Sequence, residues 1–161
     1  MKKLTAGVTV GALLASPAVA LAGSSHTIVL GRSIGPVKLG QTPAQVQHEL
    51  GKPAHTYRVS GKIASEDYTP KGLVVSFDTL HKGDPVEMVT ATSSTWRTSK
   101  GIRTGSTTAQ VEHAYSHLRH IVGGLESNQG TPGSVGSRST LFNFFHGKVQ
   151  GISVTTVFND I

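Results

Sequence analysis

The most constraining feature of the sequence is a segment that occurs twice. Fourteen residues at 37–50 read VKLGQTPAQVQHEL, and residues 102–115 repeat them 65 positions later as IRTGSTTAQVEHAY. Six of the fourteen positions are identical, and most of the others keep their character, as Val37 and Ile102 do. Such a match indicates an internal duplication. The sequence therefore predicts one structural unit that is used twice.

Both copies carry the signals of a helix start. Gly40 and Gly105 can turn the backbone, and Thr42 and Thr107 can accept hydrogen bonds from the free amides of a first helical turn. Pro43 stands at the favoured first helical position. The pattern predicts helices that begin at about residues 43 and 108.

The apolar residues predict where each helix packs and ends. Val46 and Leu50 share one face of the first helix, which ends at residues 51–53. The second helix is predicted to be longer and to end at Gly123-Gly124. Its apolar stripe comprises Val111, Tyr115, Leu118 and Val122.

The segments after each helix are rich in β-branched and aromatic residues. Two hairpins are predicted, 73–78 with 86–92 around a turn at 80–85, and 139–145 with 149–158 around a turn at 146–148. Residues 57–63 form a further strand-like segment before the first hairpin. Residues 126–138, with three glycines and no periodicity, are predicted to be a flexible loop.

Together these elements predict an α+β fold of two tandem repeats, each a helix followed by an antiparallel sheet. The sheets are expected to join or pack, with the helices on one face. The predicted organisation is a signal peptide (1–22), an N-terminal linker (23–33), a first repeat (34–95) and a second repeat (96–161).

The N-terminus has the pattern of a secretory signal. Lys2 and Lys3 precede an apolar stretch at 4–14, and small residues at 20–22 offer a cleavage site. After cleavage, 13 basic and 9 acidic residues remain, a formal charge of +4 instead of +6. The lysines are spread singly, which does not support nucleic-acid binding. We expect a secreted chain with no membrane anchor after cleavage.

The composition excludes several kinds of chemistry. Because the chain has no cysteine, it can form no disulfide, thiolate metal site or lipid-modified cysteine. It also contains no Gly-x-Ser-x-Gly, His-Glu-x-x-His or phosphate-loop motif. We therefore expect no enzyme activity, no catalytic residue and no cofactor, although a triad assembled by the fold stays an alternative.

Three histidines follow a helical spacing. His113, His117 and His120 would lie on one face of the long second helix, where imidazoles can ligate Zn²⁺ or Cu²⁺. That face is opposite the apolar stripe, so surface decoration or a pH-sensitive binding face are alternatives. We predict no metal site and keep these three as weak candidates.

Large side chains near the predicted strands are candidates for partner binding. Trp96 stands at the junction of the two copies. It either packs in the core at this junction or acts as an anchor for a binding partner. In strict alternation, Phe142 and Phe144 share one strand face while Leu141 and Phe145 share the other. Phe145 and Leu141 are therefore partner-binding candidates, with edge packing as the alternative.

Residues 34–42, together with Val46, Leu50 and Gly51-Lys52-Pro53, resemble the opening of SmpA/BamE-like domains. Two such units in one secreted chain resemble the β-lactamase inhibitory proteins. The resemblance implies two helix-plus-sheet repeats that present a concave sheet and a first hairpin turn whose Asp enters an enzyme cleft. Asp84 matches that position, and His81 lies in the same turn.

We therefore expect a secreted, non-enzymatic module that binds an extracellular or envelope protein through a concave sheet face and hairpin turns. One alternative is an envelope-associated structural or maintenance protein that contacts cell-wall polymer. A second is an enzyme inhibitor of the β-lactamase-inhibitory type.

Overall fold

A computed structural model of the chain describes residues 26–129 and 137–157. The expected signal peptide (1–22), the first residues of the expected linker and the central part of the expected flexible loop lie outside the described residues. No helix in the two described ranges is long and apolar enough to cross a membrane.

Strands dominate the described chain. The helices are α1 (Pro43–Leu50) and α2 (Thr108–Ala114), with a 3-10 turn at Thr69–Lys71. The strands are β1 (Thr27–Val29), β2 (Ser33–Ile34), β3 (Val37–Lys38), β4 (His55–Val59), β5 (Lys62–Tyr68), β6 (Leu73–Phe77), β7 (Val86–Ala91), β8 (Arg97–Thr98), β9 (Arg119–Ile121), β10 (Gly124–Gln129), β11 (Ser137–Phe145) and β12 (Lys148–Val157).

Eight strands form one antiparallel sheet in the order β4-β5-β6-β7-β12-β11-β10-β9. Its central seam joins β7 to β12, where Ile152 pairs with Ala91 and Val154 with Val89. A smaller sheet has the order β3-β2-β1-β8, and in it β1 runs parallel to β8.

Among the described residues, one apolar core lies on one face of the large sheet. Val75, Val89, Val154 and Phe142 point into it from four neighbouring strands, and all are fully buried. Both helices contribute buried valines to the same cluster. The small sheet joins the same side, because the Gly31 amide donates to the Thr140 hydroxyl (2.8 Å) on this face of β11.

The expected α+β class of two helix-plus-sheet repeats is wrong. The fold is mostly β, with 48% strand and only two helices among the described residues, and its main body is one eight-stranded antiparallel sheet. Each helix has only about two turns. One core cluster of the described residues lies on both sides of the β7–β12 seam, so the helix-plus-sheet unit is not the building block of the fold.

The predicted helix starts are confirmed. Thr42 accepts from the Gln45 amide, and the Gln45 side chain accepts from the Thr42 amide, which completes a capping box. Thr107 and Gln110 form the same box at the start of α2. The residues that are similar in sequence thus adopt the same local structure.

The predicted end of the second helix is wrong. The helix stops at Ala114, whose carbonyl oxygen accepts from Lys100 Nζ (2.6 Å), and Tyr115 is extended (φ −127°, ψ 125°). The Tyr115 ring stacks on Phe142 with 5.5 Å between centroids. Packing onto the sheet therefore ends the helix, and residues 119–121 form β9.

The two predicted hairpins are present as β6–β7 and β11–β12. The single strand predicted at 57–63 is instead a hairpin of β4 and β5, because Ser60 and Gly61 (φ +49° and +83°) form a tight turn. Part of the loop predicted at 126–138 is also strand, since residues 124–129 pair with 138–143.

Candidate binding surface

The second face of the large sheet lies opposite the helices. We call it the open face and define it by two rows of cross-strand neighbours. The first row is His55, Asp67, Val74, Thr90, Ser153, Leu141, Glu126 and Arg119. The second is Tyr57, Ser65, Ser76, Met88, Thr155 and Ser139. Within the described ranges, neither helix packs against these rows.

The middle of the open face consists of small hydroxyl side chains. The Thr90 and Ser153 hydroxyls are hydrogen-bonded (2.9 Å), and Asn143 Nδ2 donates to the same Ser153 oxygen (3.3 Å). Val74, Met88 and Leu141 stand partly exposed around them. The two rows contain no lysine, a residue type that is depleted in protein interfaces.

One ion pair, Arg119 with Glu126, lies on the open face at its β9 edge. Glu126 is only 4% exposed and accepts from Arg119 Nε (2.7 Å) and from the Ser139 hydroxyl (2.7 Å). Arg119 Nη2 also contacts the same carboxylate. These polar side chains are satisfied by each other within the sheet, which is why a polar segment forms a strand here.

Leu141 and Phe145 lie on the open face of β11, as the alternation predicted. Phe142 and Phe144 point to the core side, and Phe142 is fully buried. Phe145 is 62% exposed and meets the His146 ring edge-on at 4.1 Å between centroids. Phe145 is thus a large apolar side chain at the end of the open face.

The turn between β6 and β7 holds the other two candidates. Asp78 is buried and accepts from the Leu80 amide (2.9 Å) and from the His81 ring. Burial acts to raise the pKa of Asp78, but these donors outweigh it and hold the pKa below its usual value. Asp84 pairs with Lys62 Nζ (3.1 Å), and Leu80 in the same turn is 89% exposed.

The five partner-binding candidates do not form one cluster. The β6–β7 turn with His81 and Asp84 lies at one end of the antiparallel sheet, and the β11–β12 turn beside Phe145 lies at the other. Trp96 is 5% exposed, packs in the core cluster, and donates from Nε1 to the Lys71 carbonyl (2.7 Å). Trp96 therefore contributes to the core in this structure.

The three candidate metal ligands are also separated. Because α2 ends at Ala114, His113 is helical, His117 has a left-handed backbone (φ +63°) and His120 lies on β9. His120 Nε2 stands 4.0 Å from Glu112. In the part of the chain that the structure describes, no three histidine or carboxylate side chains converge on a metal position.

A buried carboxylate on the core face was not predicted from the sequence. Glu66 has no exposed surface and accepts from the Tyr68 hydroxyl (2.7 Å) and from Gln47 Nε2 of α1. Burial, together with the Glu66 carboxylate, raises the pKa of Tyr68 above its usual value. This network joins α1 to β5.

The distribution of charge makes the surface more basic than the composition indicates. All thirteen described lysines and arginines are exposed. Three of the eight described carboxylates, Glu66, Asp78 and Glu126, are buried. The outer surface therefore carries an excess of positive charge, which attracts anionic partners.

A search against protein families, curated proteins and solved structures finds no match to this chain. The resemblance of residues 34–53 to SmpA/BamE-like domains stays a prediction.

Proposed function

We propose that the chain is a secreted, non-enzymatic module that binds another protein through the open face of its large sheet. The observation that supports this proposal is the one-sided construction of the sheet. Both helices and the small sheet cover one face, and on the open face Val74, Met88, Thr90 and Leu141 are partly exposed.

The open face has the properties of a recognition surface. Backbone groups in the inner strands are satisfied by the sheet, so the side chains stand on a rigid floor. Small, partly exposed residues such as Ser76 and Thr90 allow a partner to approach the backbone closely. Leu141 adds apolar area beside Ser153, and Phe145 adds an aromatic side chain at one end, where such an anchor can dominate binding energy.

The experiment compares two variants that add the same charge on opposite sides of the molecule. Leu141→Arg places a guanidinium on the open face, and Ala44→Arg places one on the exposed side of α1. The unmodified chain is used to capture proteins from the secreted fraction, and the captured proteins are identified. Each is then purified and titrated against both variants by calorimetry.

We expect Leu141→Arg to weaken the purified partner's affinity at least tenfold, because it inserts an unpaired charge into the contact. Ala44→Arg should leave the affinity within about twofold. Equal affinities of the two variants would overturn the proposal, and so would the absence of any partner that binds the purified chain directly.

Association with an anionic cell-wall polymer is a second candidate, favoured by the thirteen exposed lysines and arginines. Such binding depends on many dispersed charges. It should weaken steadily as salt is raised from about 50 to about 500 mM, because the screening length falls over this range. It should also be insensitive to Leu141→Arg, which separates it from the first candidate.

A further inference from the structure

Three cations surround one cavity on the helix-covered side of the sheet. The cavity has a volume of about 380 Å³ and is lined by Val29, Arg32, Ser33, Lys38, Leu39 and Arg138. None of these lining residues is acidic. The cavity lies away from the open face, so a ligand bound there is independent of the proposed function.

The fold holds the three cations together from distant parts of the sequence. Arg32 lies in the turn between β1 and β2. Lys38 lies on β3, where it pairs with the buried Ser33 of β2. The same turn is fixed to β11, because the Gly31 amide donates to the Thr140 hydroxyl. Arg138 is two residues before Thr140 and therefore points to the same side of β11.

The three side chains have no other partner in the part of the chain that the structure describes. Among the described residues, Arg32, Lys38 and Arg138 form no side-chain hydrogen bond and no ion pair. Other cations of the chain do, as Arg119 does with Glu126 and Lys62 with Asp84. Three like charges around one cavity repel each other, and an anion between them removes that repulsion.

We propose that this cavity binds a phosphate group, either as a free anion or as part of a phosphodiester polymer. Two guanidinium groups can each donate two parallel hydrogen bonds to phosphate oxygens, and the Lys38 ammonium adds a point charge. The apolar side chains of Val29 and Leu39 limit water at the cavity wall, which strengthens these interactions.

The test titrates inorganic phosphate into the protein at constant ionic strength and follows the backbone amide resonances of residues 32, 33, 38 and 138. We expect saturable shifts in the unmodified chain. Arg32→Gln and Arg138→Gln should each weaken binding at least fivefold, and the triple variant with Lys38→Gln should abolish it. Unfolding curves check that each variant is folded.

The matched controls are Arg97→Gln, at the opposite edge of the small sheet, and Lys82→Gln in the β6–β7 turn. Both residues are exposed cations, and both variants should bind phosphate like the unmodified chain. An equal loss in the control and cavity variants would show only general electrostatic attraction and would overturn the proposal.

A second arm replaces inorganic phosphate with poly(glycerol phosphate). If the monomeric anion binds, the cavity accepts a free phosphate. If only the polymer binds, and the loss is confined to the cavity variants, the cavity recognises a phosphodiester within a chain. The proposal is overturned if neither probe produces saturable shifts at these residues.

Discussion

Glu66 is a buried carboxylate that stabilises the fold by accepting hydrogen bonds from Tyr68 and Gln47. Glu66→Ala removes the acceptor of the buried Tyr68 hydroxyl and of Gln47 Nε2, and it leaves a cavity. We expect a loss of roughly 2–4 kcal/mol in the free energy of unfolding, measured in urea. Glu112→Ala, on the exposed side of α2, should change it by less than about 0.5 kcal/mol. Equal effects of the two variants would contradict the network.

Gly35 is required by both its backbone and its neighbour. Its φ is +56°, and a Cβ at this position would stand 2.5 Å from Cζ3 of Trp96. Gly40 has φ +88°, but a Cβ there would meet no atom within 4 Å, so this residue isolates the backbone effect. We expect Gly40→Ala to cost about 1–2 kcal/mol and Gly35→Ala to cost about 1–3 kcal/mol more.

Urea unfolding of both variants, followed by Trp96 fluorescence, measures this difference. Equal losses of unfolding free energy in the two variants would show that the Trp96 ring can shift to accommodate the new Cβ without destabilising the fold.

Individual residues are predictable from the sequence where the cause is local. Thr42 and Thr107 are recognisable as caps because a cap needs only the three residues after it. Glu66 is not recognisable as a core residue, because a carboxylate is normally exposed and its donor Gln47 lies on another element. Arg138 has no visible connection to Arg32 either, since only the folded sheet brings them to one cavity.

The β6–β7 turn is an element whose stability depends on pH through Asp78. The folded-state pKa of Asp78 lies below its unfolded value of 3.8, so the ionised carboxylate stabilises the fold. This contribution is complete above the unfolded pKa and is lost as the pH falls through the lower folded pKa. The stability difference between the unmodified chain and Asp78→Asn should therefore shrink below about pH 4.

The measurement is the free energy of unfolding of both proteins from about pH 2 to about pH 6, a range that brackets the carboxyl titration. A difference that stays constant over this range would show that Asp78 is not held ionised by the Leu80 amide and the His81 ring.

Elements are predictable where a local signal marks them, as Gly51 marks the end of α1. The hairpins β6–β7 and β11–β12 follow from β-rich segments with turn residues between them. The end of α2 does not, because Tyr115 continues the helical stripe in sequence but stacks on Phe142 instead. Glu126 of β10 is a charged residue in a segment with no strand periodicity, so the sequence predicts a loop there. In the folded sheet it accepts hydrogen bonds from Arg119 and Ser139.

The whole molecule should unfold as one unit. The core cluster includes residues from both helices, both sheets and both sides of the β7–β12 seam. Trp96 fluorescence reports on the packing near the small sheet, and far-ultraviolet circular dichroism reports on the large sheet. We expect coincident urea transitions from the two probes. Two separated transitions would show that the halves of the sheet are independent.

The fold class is the part of the sequence prediction that fails at this scale. The duplicated segments specify two short helices, but they do not specify how many strands come after them or whether the strands join. Strands β4, β9 and β10 are stabilised by neighbours that adjoin them only in the folded sheet. Their polar or exposed residues carry no periodic signal along the chain.

The central seam also constrains how the protein can fold. Ile152 pairs with Ala91 across β7 and β12, so the middle of the sheet joins residues about sixty positions apart. Forming this contact costs the conformational entropy of closing a long loop before the contact can stabilise the fold. Folds rich in long-range contacts therefore form slowly. Until β12 has been synthesised, β7 presents an unpaired edge, which is a template for aggregation.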